Sequence, residues 1–168
     1  MNIIKTKIPE FHIRIAEETD TPLILRFIKE LAEYEKLLSE VTATEETLKS
    51  NLFKERKAAE VLLAYYKEIP VGFAVFFHNF STFLGKPGIY LEDIFISPEY
   101  RGKGFGKIVL SYLAKLAVER GCGRFEWWVL DWNKNAITFY RQIGAKSMDE
   151  WTVQRVTGKE LFKLANEF

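Results

Sequence analysis

Apolar and polar positions alternate along this chain with two different periods. Leu23, Phe27, Leu31 and Tyr34 recur at helical spacing, with Arg26, Lys29, Glu30 and Glu33 between them, which predicts an amphipathic helix. Thr21 and Pro22 predict its start, Thr as the N-cap and Pro pre-set for the first helical position. Ahead of it, residues 11–15 read as a short strand. Thr44 before Glu45 and Glu46 predicts a second helix, because acids in a first turn suit the macrodipole. The texture then turns β-rich. Residues 61–66 and 71–80 predict two strands, joined as a hairpin by Lys67-Glu68-Ile69-Pro70. Residues 81–88 predict a Gly/Pro loop and 89–96 a third strand. Ile108, Val109, Tyr112, Leu113, Leu116 and Ala117 form the apolar face of a helix that stops at Gly121. The apolar run 125–130 predicts a central strand, 133–143 a helix stopped by Gly144, 151–157 a last strand, and 161–165 a short terminal helix.

The resulting order is β-α-α-β-β-β-α-β-α-β. An antiparallel meander followed by βαβ units predicts a mixed α/β fold: one mostly antiparallel sheet flanked by helices. The chain has 168 residues and no internal repeat or linker, so a single domain over 1–168 is expected.

Composition narrows the chemistry more than the fold. Apolar residues make up 48% and aromatic residues 15%, enough to bury a core that offsets the entropy of ordering. The formal net charge is +1, so no global field draws in a nucleic acid or an anionic membrane, and neither is expected as a partner. Cys122 is the single cysteine and reads as a small apolar residue. With only His12 and His78 beside it, no zinc set can be assembled, and no metal is expected. No apolar run approaches ~20 residues, and Met1 to Phe11 contain no apolar core of a signal peptide. A reducing cytoplasm fits this usage.

The most informative stretch runs from Tyr90-Leu91-Glu92-Asp93 through Ser97-Pro98 to Arg101-Gly102-Lys103-Gly104-Phe105-Gly106. A strand enters a glycine-rich turn, and the turn feeds a helix. Glycines let successive backbone N–H groups converge, the helix dipole adds partial positive charge, and Arg101, Lys103 and Lys107 add full charges. This is a pyrophosphate cradle. It is not a Walker loop, because Lys103 is followed by Gly104 and no magnesium-binding hydroxyl follows. It is not a dinucleotide fingerprint either, because the spacing is G-x-G-x-G and the loop follows an antiparallel meander. The pattern met by Arg101, Gly104 and Gly106 is R-x-x-G-x-G.

At these residues the chain resembles the GNAT superfamily of N-acetyltransferases, whose acetyl-CoA loop has this pattern. Closer than superfamily level, it resembles the spermidine/spermine N1-acetyltransferases and the related thialysine N-acetyltransferases. The likeness rests on Tyr90-Leu91-Glu92-Asp93, the glycine turn, Asp131-Trp132-Asn133, Phe139-Tyr140 with Gly144-Ala145, and Lys29-Glu30-Leu31-Ala32 with Tyr34-Glu35. It implies the acyl-CoA N-acyltransferase fold, acetyl-CoA as cosubstrate, a small-molecule amine as acceptor, and a homodimer. It also implies roles. The pantetheine arm would lie along Ile94, Phe95 and Ile96, and the pyrophosphate on Arg101, Gly102, Lys103, Gly104, Phe105 and Gly106. Asn133 would contact the cofactor and Tyr140 would reach its sulfur. Glu92 would handle the amine proton, while Tyr34, Glu35, Asp93 and Glu150 would line a cation-binding pocket.

The chemistry suits those residue types. A primary amine is protonated at neutral pH, and removing its proton costs about 4 kcal/mol. A carboxylate, direct or through water, accepts that proton, and a phenol can protonate the leaving thiolate. A fixed N–H near Ile94 could hold the developing oxyanion. Direct transfer in a ternary complex needs no covalent enzyme intermediate. Adjacent strand residues face opposite sides, so Glu92 and Asp93 should play different parts. The amine stays open between a thialysine or lysine-like amino acid, a diamine and a polyamine. Ser81-Thr82-Phe83, standing where the polyamine type carries an acid and a Trp, shifts the weight toward the first two. A peptide acetyltransferase and a non-catalytic CoA-binding regulator are the rival classes.

Overall fold

The computed structural model describes residues 3–168 and divides into two compact units, one ending at Trp128 and the other Val129–Phe168. The first contains the whole sheet. Its strands are β1 (Ile3–Lys5), β2 (Phe11–Ile15), β3 (Glu60–Tyr66), β4 (Ile69–Ser81), β5 (Lys86–Ile96) and β6 (Arg124–Trp127). They lie side by side in chain order, antiparallel throughout except for β5 and β6, which run parallel. Helices α1 (Thr21–Tyr34) and α2 (Glu45–Phe53) follow β2, and α3 (Phe105–Glu119) makes the crossover between β5 and β6. The mixed sheet flanked by helices agrees with the expected fold class.

The two sides of the sheet follow from strand alternation. Ile24 and Phe27 of α1 and Leu52 of α2 pack on Val61, Leu63, Phe73 and Phe95, a fully buried cluster. Each such side chain contributes about 1.5–3 kcal/mol by leaving water. Leu62, Ala64, Ala74, Phe76 and Leu91 are buried in the same strands, and α3 buries Phe105, Val109, Leu110, Leu113 and Ala117.

Several local expectations are corrected. Asp20, not Thr21, occupies the cap position of α1. Its carboxylate is committed to Arg14, at 2.6 and 2.7 Å, and to the Glu17 N–H, while the Thr21 hydroxyl donates to the Glu18 carbonyl. Thr44 does cap α2, in a reciprocal box with Thr47. The β3–β4 connection is only Lys67-Glu68, both with positive φ, which matches the twist of a tight hairpin. The expected loop at 81–88 shrinks to 82–85, because Gly88 belongs to β5. A Cβ there would come within 2.4 Å of Asn79 Oδ1.

In the second unit, α4 (Lys134–Gln142) is capped by Asn133, whose Oδ1 accepts from the Ala136 N–H, and it ends near Gly144 at φ +93. A final helix, α5, spans Gly158–Ala165. The strand expected at 151–157 does not form. Alternation becomes a strand only when a neighbour completes its ladder, and no strand pairs with this segment among the described residues.

Candidate active site

One irregularity in β5 shapes the site. Phe76 pairs with Leu91 and Val75 with Asp93, so Glu92 is an extra residue, a β-bulge. The bulge interrupts strict alternation. Leu91 is buried opposite Phe76, while Asp93 faces the side of Val75 and Phe73. Glu92 and Asp93 are therefore not simply back to back, as the alternation rule suggested. Glu92 is exposed and its charge is felt at Asp93.

The bulge coincides with the end of β6. Pairing between β5 and β6 covers Gly88 to Leu91 and stops there. Beyond it, β5 is bonded on one side only among the described residues. The Ser97 N–H donates to the Val71 carbonyl, which fixes the phase of the β4–β5 ladder. In that phase Phe95 directs its N–H and C=O toward β4. Ile94 and Ile96 direct theirs to the open edge. Of the three residues expected to bind an extended ligand, Ile94 and Ile96 thus offer backbone groups. Phe95 does not, and its ring is buried against Phe27 and Phe73. Gly72 permits the close approach of the strands here, since a Cβ would lie 2.3 Å from the Phe95 carbonyl oxygen.

The open edge leads into the glycine turn. After a turn of 3₁₀ helix at Pro98–Tyr100, Gly102 and Gly104 take φ of +76 and +82, left-handed values that favour glycine. Gly104 caps α3 and has no side chain to satisfy the helix's first amides. The Ile108 N–H bonds the Gly104 carbonyl, so the three amides before it lack an intrahelical acceptor. Gly102, Lys103 and Gly104 are exposed, and nothing lies within 4 Å of a Cβ built on Gly102. The Phe105 side chain has a structural part. Its ring is buried and stacks on Phe11 at 4.1 Å, nearly parallel, with Tyr66 tilted against it. It anchors the turn and leaves only its amide for a ligand. Arg101 makes a bond within the protein: its Nε donates to the Ile96 carbonyl at 2.8 Å. Its guanidinium lies 4.4 Å from the Tyr34 ring centre and 5.4 Å from that of Phe95.

Acid gathers beside the bulge. Burial, then the charges of Glu92 and Glu35, push the Asp93 carboxyl up to about 6. Burial also raises Glu35, the residue that ends α1. An uncompensated cluster of this kind is relieved by a bound cation. Asn133, Tyr140 and Glu150 belong to the second unit. Tyr140 is half-buried in α4 with its ring 5.6 Å from that of Phe139, and Glu150 is exposed in the segment before α5. His12 stacks on Tyr65, and His78 lies 3.4 Å from Arg120, which pairs with Glu60. Ser81 is buried and its Oγ accepts from the Leu84 N–H, which shapes the β4–β5 turn. That turn lies about 20 Å along β5 from Glu92, so Thr82 and Phe83 do not border the acids within one chain.

Comparison with known proteins converges on one family. The pattern described as the acetyltransferase (GNAT) family matches residues 26–145. The chain is 39% identical to a thialysine N-epsilon-acetyltransferase of Sus scrofa, over 92% of this chain and 97% of that one. It is 37% identical to an L-ornithine N5-acetyltransferase of Arabidopsis thaliana, over 89% and 85%. Among solved structures, an integron cassette protein from the mobile metagenome of V. cholerae superposes with a TM-score of 0.79 at 28% identity, covering 93% and 98%.

Proposed function

The chain belongs to the acetyltransferase (GNAT) family, and from that premise we propose that it moves the acetyl group of acetyl-CoA directly onto a primary amine of a small cationic molecule, a thialysine-, ornithine- or lysine-like amino acid. The observation that carries the reading is the continuity of the open β5 edge with the open glycine turn. An extended ligand ending in a diphosphate fits both. The bulge at Glu92, beside the point where the open edge begins, supports a carboxylate acting at the reactive end of such a ligand.

Acetyl-CoA supplies the thioester when bound. The chain's residues do the rest. The amides of Ile94 and Ile96 and the Ile94 carbonyl hold the arm, and the backbone of the turn with Lys103 holds the diphosphate. Asp93 and Glu35 hold the ammonium groups of the acceptor, and Glu150 is the further acid that the family resemblance implies. Glu92 accepts the amine proton, through water where reach requires it, and Tyr140 gives its phenolic proton to the departing sulfur. Asn133 adds a cofactor contact. Two relatives named for ornithine and thialysine support a short amino-acid acceptor, and the distance of the 82–85 turn from Glu92 removes an argument about long polyamines from within one chain. The match over 26–145 crosses the boundary between the two units, which supports one transferase domain over 1–168. A cytoplasmic homodimer belongs to the same reading. No helix among the described residues is long and apolar enough to cross a membrane.

Thiol release from acetyl-CoA, followed with ornithine, thialysine, diaminopropane, spermidine and a lysine-rich peptide, tests the proposal. Turnover of the amino acids above the others is the expected result. Turnover of the peptide alone would make it a peptide acetyltransferase. Tight coenzyme A binding without any turnover would make it a regulator.

A further inference from the structure

The Arg101 side chain joins the end of β5 to the end of α1, close to where the Ser97 hydroxyl also donates to the Glu30 carboxylate of α1 at 3.3 Å. Its Nε is bonded to the carbonyl of Ile96, the last residue of β5. Its guanidinium carbon lies over the ring of Tyr34, the last residue of α1, and over that of Phe95. Glu35 follows Tyr34, and its charge is felt at Asp93 on β5. The arginine thus pins the end of the helix that carries one acid to the end of the strand that carries the other two. Only a guanidinium can do this. It donates to the carbonyl through a fixed N–H while its delocalised charge sits over a ring, and a lysine ammonium has neither the plane nor the fixed fork. The same bond occupies the acceptor of Ile96, so the open edge presents one carbonyl, that of Ile94, rather than two.

We propose that Arg101 is a positioning residue for the acceptor amine, setting where α1 holds Glu35 relative to Asp93, and that its side chain is not a ligand of the diphosphate. This rests on the acetyltransferase reading and deepens it. The cradle's affinity for the coenzyme then comes from backbone amides and Lys103, while recognition of the cationic acceptor depends on an arginine inside the same turn. The turn that receives one substrate thereby organises the pocket of the other.

Arg101→Lys, Arg101→Met and Tyr34→Leu test the assignment, each by calorimetric titration with coenzyme A and by steady-state kinetics with ornithine and thialysine. All three should raise the amine KM about tenfold, with kcat at saturation and the coenzyme A Kd within about twofold. Arg101→Lys is decisive, because an ammonium replaces a guanidinium as a point charge for phosphate but not as a stacked fork. Coenzyme A binding weakened about tenfold in Arg101→Met and restored in Arg101→Lys, with amine KM unchanged, overturns the proposal. So does additivity of Arg101→Met with Tyr34→Leu, since one shared contact predicts effects that do not sum. Tyr34→Leu leaves the turn's own residues intact, so it serves if the arginine variants fail to fold. Wild-type protein that binds no coenzyme A and releases no thiol brings down the acetyltransferase reading itself. That result is read before any variant is made.

Discussion

Replacing Asp93 with Asn removes the most strained charge of the site and should stabilise the protein in a pH-dependent way. The Asp93 carboxyl titrates at about 6 in the folded chain against 3.8 for an ordinary aspartate, because it is buried and faces the charges of Glu92 and Glu35. The folded state therefore binds this proton more tightly than the unfolded chain. That contribution is complete below pH ~4 and is lost as pH rises through about 6. Above that range, holding the ionised group in place costs at most about 3 kcal/mol, at ~1.36 kcal/mol per pH unit. The Asn amide brings N–H groups of its own to satisfy, so about 2 kcal/mol of gain is expected at pH 8. For a chain of this size that raises Tm by about 5 °C, and the gain should vanish near pH 4. Thermal scans of both proteins without ligand, from pH 4 to 8, read the effect directly. A Tm difference that stays constant between pH 5 and 7, or that favours the wild type at pH 8, would refute the assignment of the strain to this carboxylate. The same substitution should raise the KM for ornithine or thialysine about 10- to 100-fold, the loss of one charge-assisted contact. A site that gains stability when disarmed is one held in tension for its ligand.

Glu92→Gln should flatten the rise of kcat/KM with pH, and Tyr140→Phe should lower kcat about 100-fold while leaving the coenzyme A Kd within about twofold; pH–rate profiles and titration calorimetry check both. Gly104→Ala places a Cβ at φ +82 and should weaken coenzyme A about tenfold. Gly72→Ala, with its Cβ 2.3 Å from the Phe95 carbonyl oxygen, should cost about 1–3 kcal/mol in urea unfolding. Asp20→Asn breaks the buried pair with Arg14 and should cost about 3–5 kcal/mol. The hydrogen bonds from Arg14 hold the Asp20 carboxyl below its usual range, so its contribution is present above pH ~4 and is lost as pH falls through the lower folded value. The variant's unfolding should therefore lose part of the wild type's acid sensitivity.

What could be read from the sequence, and what could not, follows from how far each feature reaches. Helices α1 to α4 are set by periods and caps a few residues apart, so Leu23, Phe27 and Leu31, or Thr44 with its box, are visible locally. The turn around Gly102 and Gly104 is equally visible, because a backbone that needs positive φ leaves glycines in the sequence. Gly72 carried a usable signal as well, since an isolated glycine inside a strand marks close backbone approach. The bulge at Glu92 has no such trace. It exists only because Phe76 and Val75 pair with Leu91 and Asp93, and neither glycine nor proline marks it. Residues 151–157 show the converse, an alternating pattern that finds no partner strand among the described residues. Arg101 shows the same limit at the level of a side chain. The motif places its backbone correctly, yet the direction of its guanidinium is decided by a carbonyl five residues back and by a ring at the end of α1. An R-x-x-G-x-G pattern therefore predicts where amides converge, but not what its arginine holds. That division matters for any reading of acceptor specificity, because the residues proposed to set it act through contacts between elements that no local period records.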